Sequence, residues 1–230
     1  GIKIILNGGN HLRKNLKSFS KLTTNKDRIM TPISYNPNQA EKATDIFFKT
    51  PLNGLYYMPL KVFRDERGFF TETGRIPEVE EVTGEKFQIA QLNLSLSETN
   101  SIRGFHAEGW NKLVTVTHGV ALCALADIRP ESETFGQVVT IKLGDGPDAN
   151  FGSIYVTQGI ANSFYVIEGP ALYSYAVDRL YKDRNQAGDM AISLFDPDLN
   201  MTWPVPKEEM IISQRDLDTI SLREKFPQKF

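Results

Sequence analysis

Between Leu55 and Val177 the chain is cut into short apolar runs: LYYMPLKVF, FQIAQLNLSLS, KLVTVTHGVALCALADI, GQVVTIKLG, GSIYVTQG, NSFYVIEG and ALYSYAV. They are rich in Val, Ile, Tyr, Phe and Thr, whose branched or flat side chains suit a pleated surface. Gly, Asn, Pro and Asp, which supply turn geometry, separate them. In NLSLS and KLVTVT the alternation is close to period two, so each strand has one buried and one wetter face. Strands recurring at roughly ten-residue intervals, with few helices between them, point to a sandwich or barrel. The expected fold class is all-β, a small jelly roll with a few short helices. Such a fold encloses a cavity on which inward-facing polar residues from several strands can converge.

Helical signals are sparse. IPEVEEVTGEKF is the best of them, with Pro77 near its start and Gly84 near its end. A short helix is expected around 39–46, and short helical turns after Trp203. GDGPDANFG reads as a loop. The texture changes at Pro51, so residues 51–230 form the expected folded domain and residues 1–50 an extension of unassigned role. Residues 1–29 hold seven Lys/Arg against Asp27, a net of +6; with −2 for the whole chain, the remainder is −2 − 6 = −8.

These numbers exclude several classes of function. A basic stripe for nucleic acid is not expected on a net-acidic folded part, and no apolar run approaches the length of a membrane span. The single cysteine, Cys123, cannot form an intrachain disulfide and lies in the apolar run VALCALA, which fits a buried thiol in a reducing, cytoplasmic compartment. Neither a G-x-S-x-G elbow nor a glycine-rich phosphate or dinucleotide loop is present. The three histidines, His11, His106 and His118, lack H-x-H spacing, so a metal site is not expected. His118, in VTHGVA, reads as an exposed residue at a strand-to-turn junction.

Acid–base chemistry remains. SIRGFHAEGWNKLVTV (101–116) gathers Arg103, His106, Glu108 and Lys112 between two strand-like runs. A His with a carboxylate partner and a Tyr from another strand can move protons without a metal, and nearby Arg and Lys suit a phosphate or diphosphate. On composition and spacing alone the alternatives stay open: His106 as a core or rim histidine, Tyr173 and Tyr175 as packing residues, Arg103 as a structural ion pair.

Seven segments in order narrow the choice: FRDERGFFTET, QLNLSLS, RGFH, ADIRPESETFG, YVTQGIANSFYVIE, DPDLNMTWP and ISQRD. Together they resemble the dTDP-4-dehydrorhamnose 3,5-epimerase family over nearly all of 51–225. The resemblance implies a cupin-type jelly roll, usually a homodimer, that inverts centres beside the C4 ketone of a dTDP-4-keto-6-deoxyhexose without metal or cofactor. It implies that His106 is the base, Asp216 the carboxylate that orients it, Tyr175 the donor across the ring (with Tyr173 as the alternative) and Lys112 the enolate or substrate contact. Arg67 and Arg103 match diphosphate contacts, Gln91, Asn93 and Glu72 match cleft positions, and Asp127 matches a buried family carboxylate.

Two departures stand out. The family's GFAHGF is GIANSF here, so Asn162 occupies the place of a second histidine and cannot carry its charge. The loop from His106 to Lys112 is also shorter than the common form. Both features suggest a divergent branch, members of which can be coupled to a dTDP-sugar reductase. The rival expectations are a degenerate cupin that binds sugar nucleotide or docks to such a reductase without chemistry, and a metal-dependent cupin.

Overall fold

The computed structural model describes residues 30–186 and 188–230; the basic segment 1–29 lies outside the described residues. Thirteen strands are present among them: β1 (Ile33–Ser34), β2 (Phe48–Lys49), β3 (Leu55–Pro59), β4 (Phe63–Asp65), β5 (Gly68–Phe70), β6 (Gln91–Ser97), β7 (Ser101–Ala107), β8 (Lys112–Asp127), β9 (Val138–Gly144), β10 (Gly152–Val156), β11 (Ile160–Val177), β12 (Met190–Ala191) and β13 (Ile211–Ile212). Three short α-helices accompany them: α1 (Ile76–Thr83), α2 (Gln214–Leu217) and α3 (Leu222–Lys225).

The long strands β8 and β11 organise everything else. Lys112–Val116 of β8 pairs with Tyr173–Val177 of β11, whereas 120–127 pairs with 160–168, and register shifts separate the two zones. The first zone is widened by β6 on one side and by β10, β3 and β2 on the other. The second is widened by β9 and β1, and by β7 with β12 and β13. One pair of strands thus runs through both layers of a jelly-roll sandwich. Gly119 marks the passage: its φ is +74°, and a Cβ there would lie 2.6 Å from the Glu168 carbonyl oxygen. The turn expected at His118 is therefore a bend within a continuous strand.

Alternation decides what fills each layer. Val114, Val116, Cys123, Leu125, Ile141, Ile154 and Phe164 meet in the core between the layers. Leu113, Tyr155 and Ala176 point outward, where α1 and the segments before and after it cover them through Val79, Phe47 and Phe87. Ala124, Ala126, Ile102 and Phe105 face the C-terminal segment, which packs Leu199, Trp203, Leu222 and Phe226 against them. Each Val, Leu, Ile or Phe side chain fully buried in this way is worth about 1.5–3 kcal/mol. Burial pushes the Cys123 thiol up to about 12, which leaves it inert.

The helix read from IPEVEEVTGEKF is α1, closed by Gly84 at φ +71° with its N–H on the Glu80 carbonyl. The helix expected around 39–46 is absent. A 3-10 turn, Pro37–Gln39, is followed by bends, because this backbone pairs with its own continuation through Lys42↔Phe48 and the Lys49 N–H to the Glu41 carbonyl. Phe47 is fully buried and both β1 and β2 join the sheet, so the domain boundary expected at residue 50 falls inside a packed segment. After Trp203 the chain forms the expected short helical turns, among them α2 and α3.

Candidate active site

The RGFH stretch lies on β7, and its glycine sets how close that strand can come to β11. Gly104 has φ +119°, and a Cβ there would stand 2.6 Å from the Asn162 carbonyl oxygen and 2.7 Å from the Ser163 Cα. Only glycine permits this approach, which seats His106 opposite Asn162 in the ladder. On the other side β13 runs parallel to β7 and delivers the chain into α2. There Ser213 caps the helix by accepting from the Asp216 N–H. The result is a hydrogen bond of 2.6 Å between His106 Nε2 and Asp216 Oδ1, with the two side chains 20% and 5% exposed.

Burial pushes the Asp216 carboxyl up, but the hydrogen bond and charge of His106, the Ser213 hydroxyl and the Gly104 backbone outweigh it and hold Asp216 below its ordinary value. The carboxylate is therefore ionised and orients the imidazole, leaving Nδ1 to take a proton.

Two tyrosines on β11 stand beside this pair, in different states. Tyr173 is buried, stacked on Phe164 with centroids 4.1 Å apart, and its hydroxyl is engaged by Asn162 (Nδ2 donating at 2.9 Å, Oδ1 accepting at 3.2 Å). Tyr175 is only partly buried and packs edge-on against Tyr173, 5.9 Å away. Burial pushes the Tyr175 hydroxyl up, as do the Glu108 carboxylate and Tyr181, against the opposing pull of Arg103 and Arg215. Asn162, standing where the family histidine is expected, is thus the partner of Tyr173.

Lys112 opens β8 and is buried despite its charge, in an ion pair with Glu108. The short loop before it is fastened by Asn111. The Asn111 N–H and side-chain amide donate to Asp178 at 3.0 and 2.7 Å, and its carbonyl oxygen accepts from Thr157 and the Gln158 N–H. The short loop therefore still delivers Lys112 to the site.

His106, Lys112, Tyr173, Tyr175, Arg103 and Asn162 line one cavity of about 240 Å³, together with Ser95, Glu108, Phe164, Tyr181 and Arg215. Gln91 and Asn93 are not among the residues that line it; they lie on β6, hydrogen-bonded to each other at 2.5 Å, with Gln91 Oε1 accepting from the N–H of the lining residue Tyr181. Arg67 and Glu72 are not brought in. Arg67 is on the exposed β4–β5 hairpin, paired with Asp65, and Glu72 is exposed just beyond it. Asp127 lies elsewhere, fully buried, accepting from Arg129, Ser132 and Thr134; it fastens the turn after β8. No group of three or more His, Cys, Asp or Glu placed to hold a metal occurs among the described residues, and no helix among them is long and apolar enough to cross a membrane.

Ser95, Phe164, Tyr181 and Arg215 are the cavity residues that sequence reasoning missed. The neighbouring Asp216 in SQRD was the available signal for Arg215. Tyr181 arrives on a 3-10 turn after β11, where no strand periodicity marks it.

A family model described as dTDP-4-dehydrorhamnose 3,5-epimerase matches residues 49–224. The chain belongs to this family. Its relatives include the dTDP-4-dehydrorhamnose 3,5-epimerase of Methanothermobacter thermautotrophicus, 30% identical over 182 residues, covering 77% of this chain and 95% of the relative. Among solved structures, the epimerase of that name from Elizabethkingia anophelis superposes with a TM-score of 0.69 at 32% identity, over 78% of this chain and 97% of the other. The Legionella pneumophila dTDP-6-deoxy-D-glucose-3,5-epimerase, solved in complex with dTDP-4-keto-L-rhamnose, gives 0.71 at 28% identity, over 80% and 96%. The jelly-roll sandwich derived from β8 and β11 is the family's fold.

Proposed function

We propose that the protein is a cofactor-independent isomerase that inverts C3, C5 or both in a dTDP-4-keto-6-deoxyhexose, in the synthesis of dTDP-L-rhamnose or a related deoxysugar. The observation that carries this reading is the His106–Asp216 dyad sharing a cavity with the Tyr175 hydroxyl and the Lys112 ammonium. A C–H beside the C4 ketone is acidic because its electrons can move onto that oxygen. His106 takes the proton, Asp216 balances the imidazolium, and the Lys112 ammonium faces the enolate oxygen. Tyr175 returns a proton to the same carbon from the opposite face, which inverts it. Tyr173 is less suited to this step because its hydroxyl is occupied by Asn162.

Arg103 and Arg215 serve the diphosphate, and Gln91, Asn93 and Asn162 the sugar and nucleotide side of the cleft. Arg67 and Glu72 stand outside the cavity of the single chain. A homodimer is the proposed assembly: among the described residues β6 is paired only with β11, and Leu92, Leu94 and Leu96 on its outer face are 75, 67 and 56% exposed. A row of leucines on an edge strand is an interface waiting for a partner. The ketone survives epimerisation, so a dTDP-sugar reductase is the proposed functional partner, and the lone buried Cys123 suits a cytoplasmic setting.

The reading is tested in heavy water by following dTDP-4-keto-6-deoxyglucose by NMR. Deuterium is expected at C3, C5 or both, and the positions labelled tell which centres are inverted. Absence of exchange at both carbons refutes it.

A further inference from the structure

Glu108 takes no part in the proton transfers of His106 and Tyr175, yet among the described residues it is the one carboxylate that lines the cavity. Its side chain is 11% exposed and that of its partner Lys112 6%. An ionised carboxylate so placed is unfavourable unless a cation compensates it. Burial pushes the Glu108 carboxyl up, but the charge and hydrogen bond of Lys112 and the charge of His106 more than offset this and keep it ionised.

We propose that Glu108 is a positioning residue of this site: it anchors the Lys112 ammonium on the cavity wall and supplies the negative charge that faces the Tyr175 hydroxyl. The inference rests on Tyr175 being the proton donor and Lys112 the enolate contact. The charged and titratable groups around Tyr175 are Tyr173 from its own strand, Arg103 and His106 from β7, Glu108 from the loop after it, Lys112 from β8, Tyr181 from the 3-10 turn and Arg215 from α2. Three are permanent or near-permanent cations, and His106 becomes a fourth once it has taken the C–H proton. Cations stabilise a phenolate and would draw the proton from a donor that must hold it until the enolate exists. Glu108 acts against that pull and pairs with the Lys112 charge at the same time. A neutral residue at this position would leave the cavity with uncompensated positive charge and a tyrosine that ionises too early.

The test is a phenolate absorbance titration of the folded protein, with the Tyr175→Phe protein subtracted to isolate Tyr175. Two variants are compared with the parent. Glu108→Gln removes the negative charge and is expected to move the Tyr175 titration down by roughly half a pH unit or more. Lys112→Gln unmasks Glu108, which is ionised at the alkaline pH of a phenol titration, and is expected to move it up. Glu108→Asp keeps the charge and is expected to stay near the parent. In turnover, the alkaline limb of kcat/KM should move down in Glu108→Gln and be restored in Glu108→Asp. A purely structural role for the ion pair leaves Glu108→Gln with the parent, and leaves the Glu108→Gln/Lys112→Gln double variant with Lys112→Gln, whose upward shift the loss of the Lys112 charge produces by itself. Coincidence within these two pairs of folded proteins overturns the proposal, and if Glu108→Gln does not fold, coincidence of the double variant with Lys112→Gln does so alone. If the parent shows no deuterium exchange, the epimerase reading fails, while the titration still judges the electrostatic link.

Discussion

Two histidine–aspartate pairs occur among the described residues. His106 and Asp216 meet at 2.6 Å, His118 and Asp145 at 3.0 Å. The contact is of the same chemical kind, but the settings differ. The first pair joins residues 110 apart in sequence, with side chains 20% and 5% exposed; the second joins residues 27 apart, 57% and 41% exposed. An exposed pair exchanges its attraction for hydration and is worth about 0–1 kcal/mol. The buried pair is fixed from both sides, by Gly104 letting β7 close on β11 and by Ser213 capping α2. It also faces Tyr175 and Lys112 across a cavity, whereas His118 is exposed and is not among the residues lining that cavity. A His–Asp contact therefore becomes chemical machinery through burial, restraint and a facing acid, not through its own geometry.

Breaking the buried pair should have the largest effect. His106→Ala is expected to lower kcat for epimerisation by ~10²–10⁴, the usual contribution of a positioned acid–base group, while His118→Ala leaves it unchanged. Steady-state turnover of both variants checks the contrast, and an equal loss in the two would erase it. Next in size is the facing acid. Tyr175→Phe removes the proposed donor hydroxyl, with an expected loss of ~10² in product formation. Tyr173→Phe instead leaves the buried Asn162 amide without its partner, at a stability loss of about 1–3 kcal/mol, and changes kcat far less. Chemical denaturation alongside turnover separates the two, and the reverse ranking would make Tyr173 the donor.

The sequence carried the fold through its alternation, but not the direction in which each strand faces. Gln91–Ser97 shows the limit. Its alternation is correctly period two, yet Leu92, Leu94 and Leu96 face outward while Ser95 lines the cavity. Hydrophobicity alone would turn that strand over, because a polar interior makes sense only once the cavity is known. Locally coded features were legible: α1 with its Gly84 terminus, and the buried Cys123. Asp216 was reached through the family resemblance, because no local spacing links residues so far apart. The segment 39–46 was misread since its backbone bonds are satisfied by pairing with Phe48 and Lys49, a tertiary effect that propensity does not contain. Arg67 and Glu72 carry the right chemistry but lie on a hairpin that the fold directs away from His106.

The smallest effects concern stability, and here too the two pairs should part. The Asp216 carboxyl titrates below its ordinary value in the folded protein. The unfolded chain therefore takes up its proton first as the pH falls, and the stabilisation, complete above the ordinary carboxylate range, is lost as pH drops through the lower folded value. Asp216→Asn should remove that part of the acid sensitivity: parent and variant melting temperatures, followed from pH 7 downward, should change in relation to one another only in the acid range. A constant difference at every pH would mean that Asp216 is not held ionised by its neighbours. Asp145→Asn should change the melting temperature by less than about 2 °C at neutral pH. Added salt should shrink even that difference, because both partners are in contact with water and are screened. A larger, salt-insensitive loss would show that the bend at Gly119 depends on the His118–Asp145 contact, and the surface pair would then share the structural weight of the buried one.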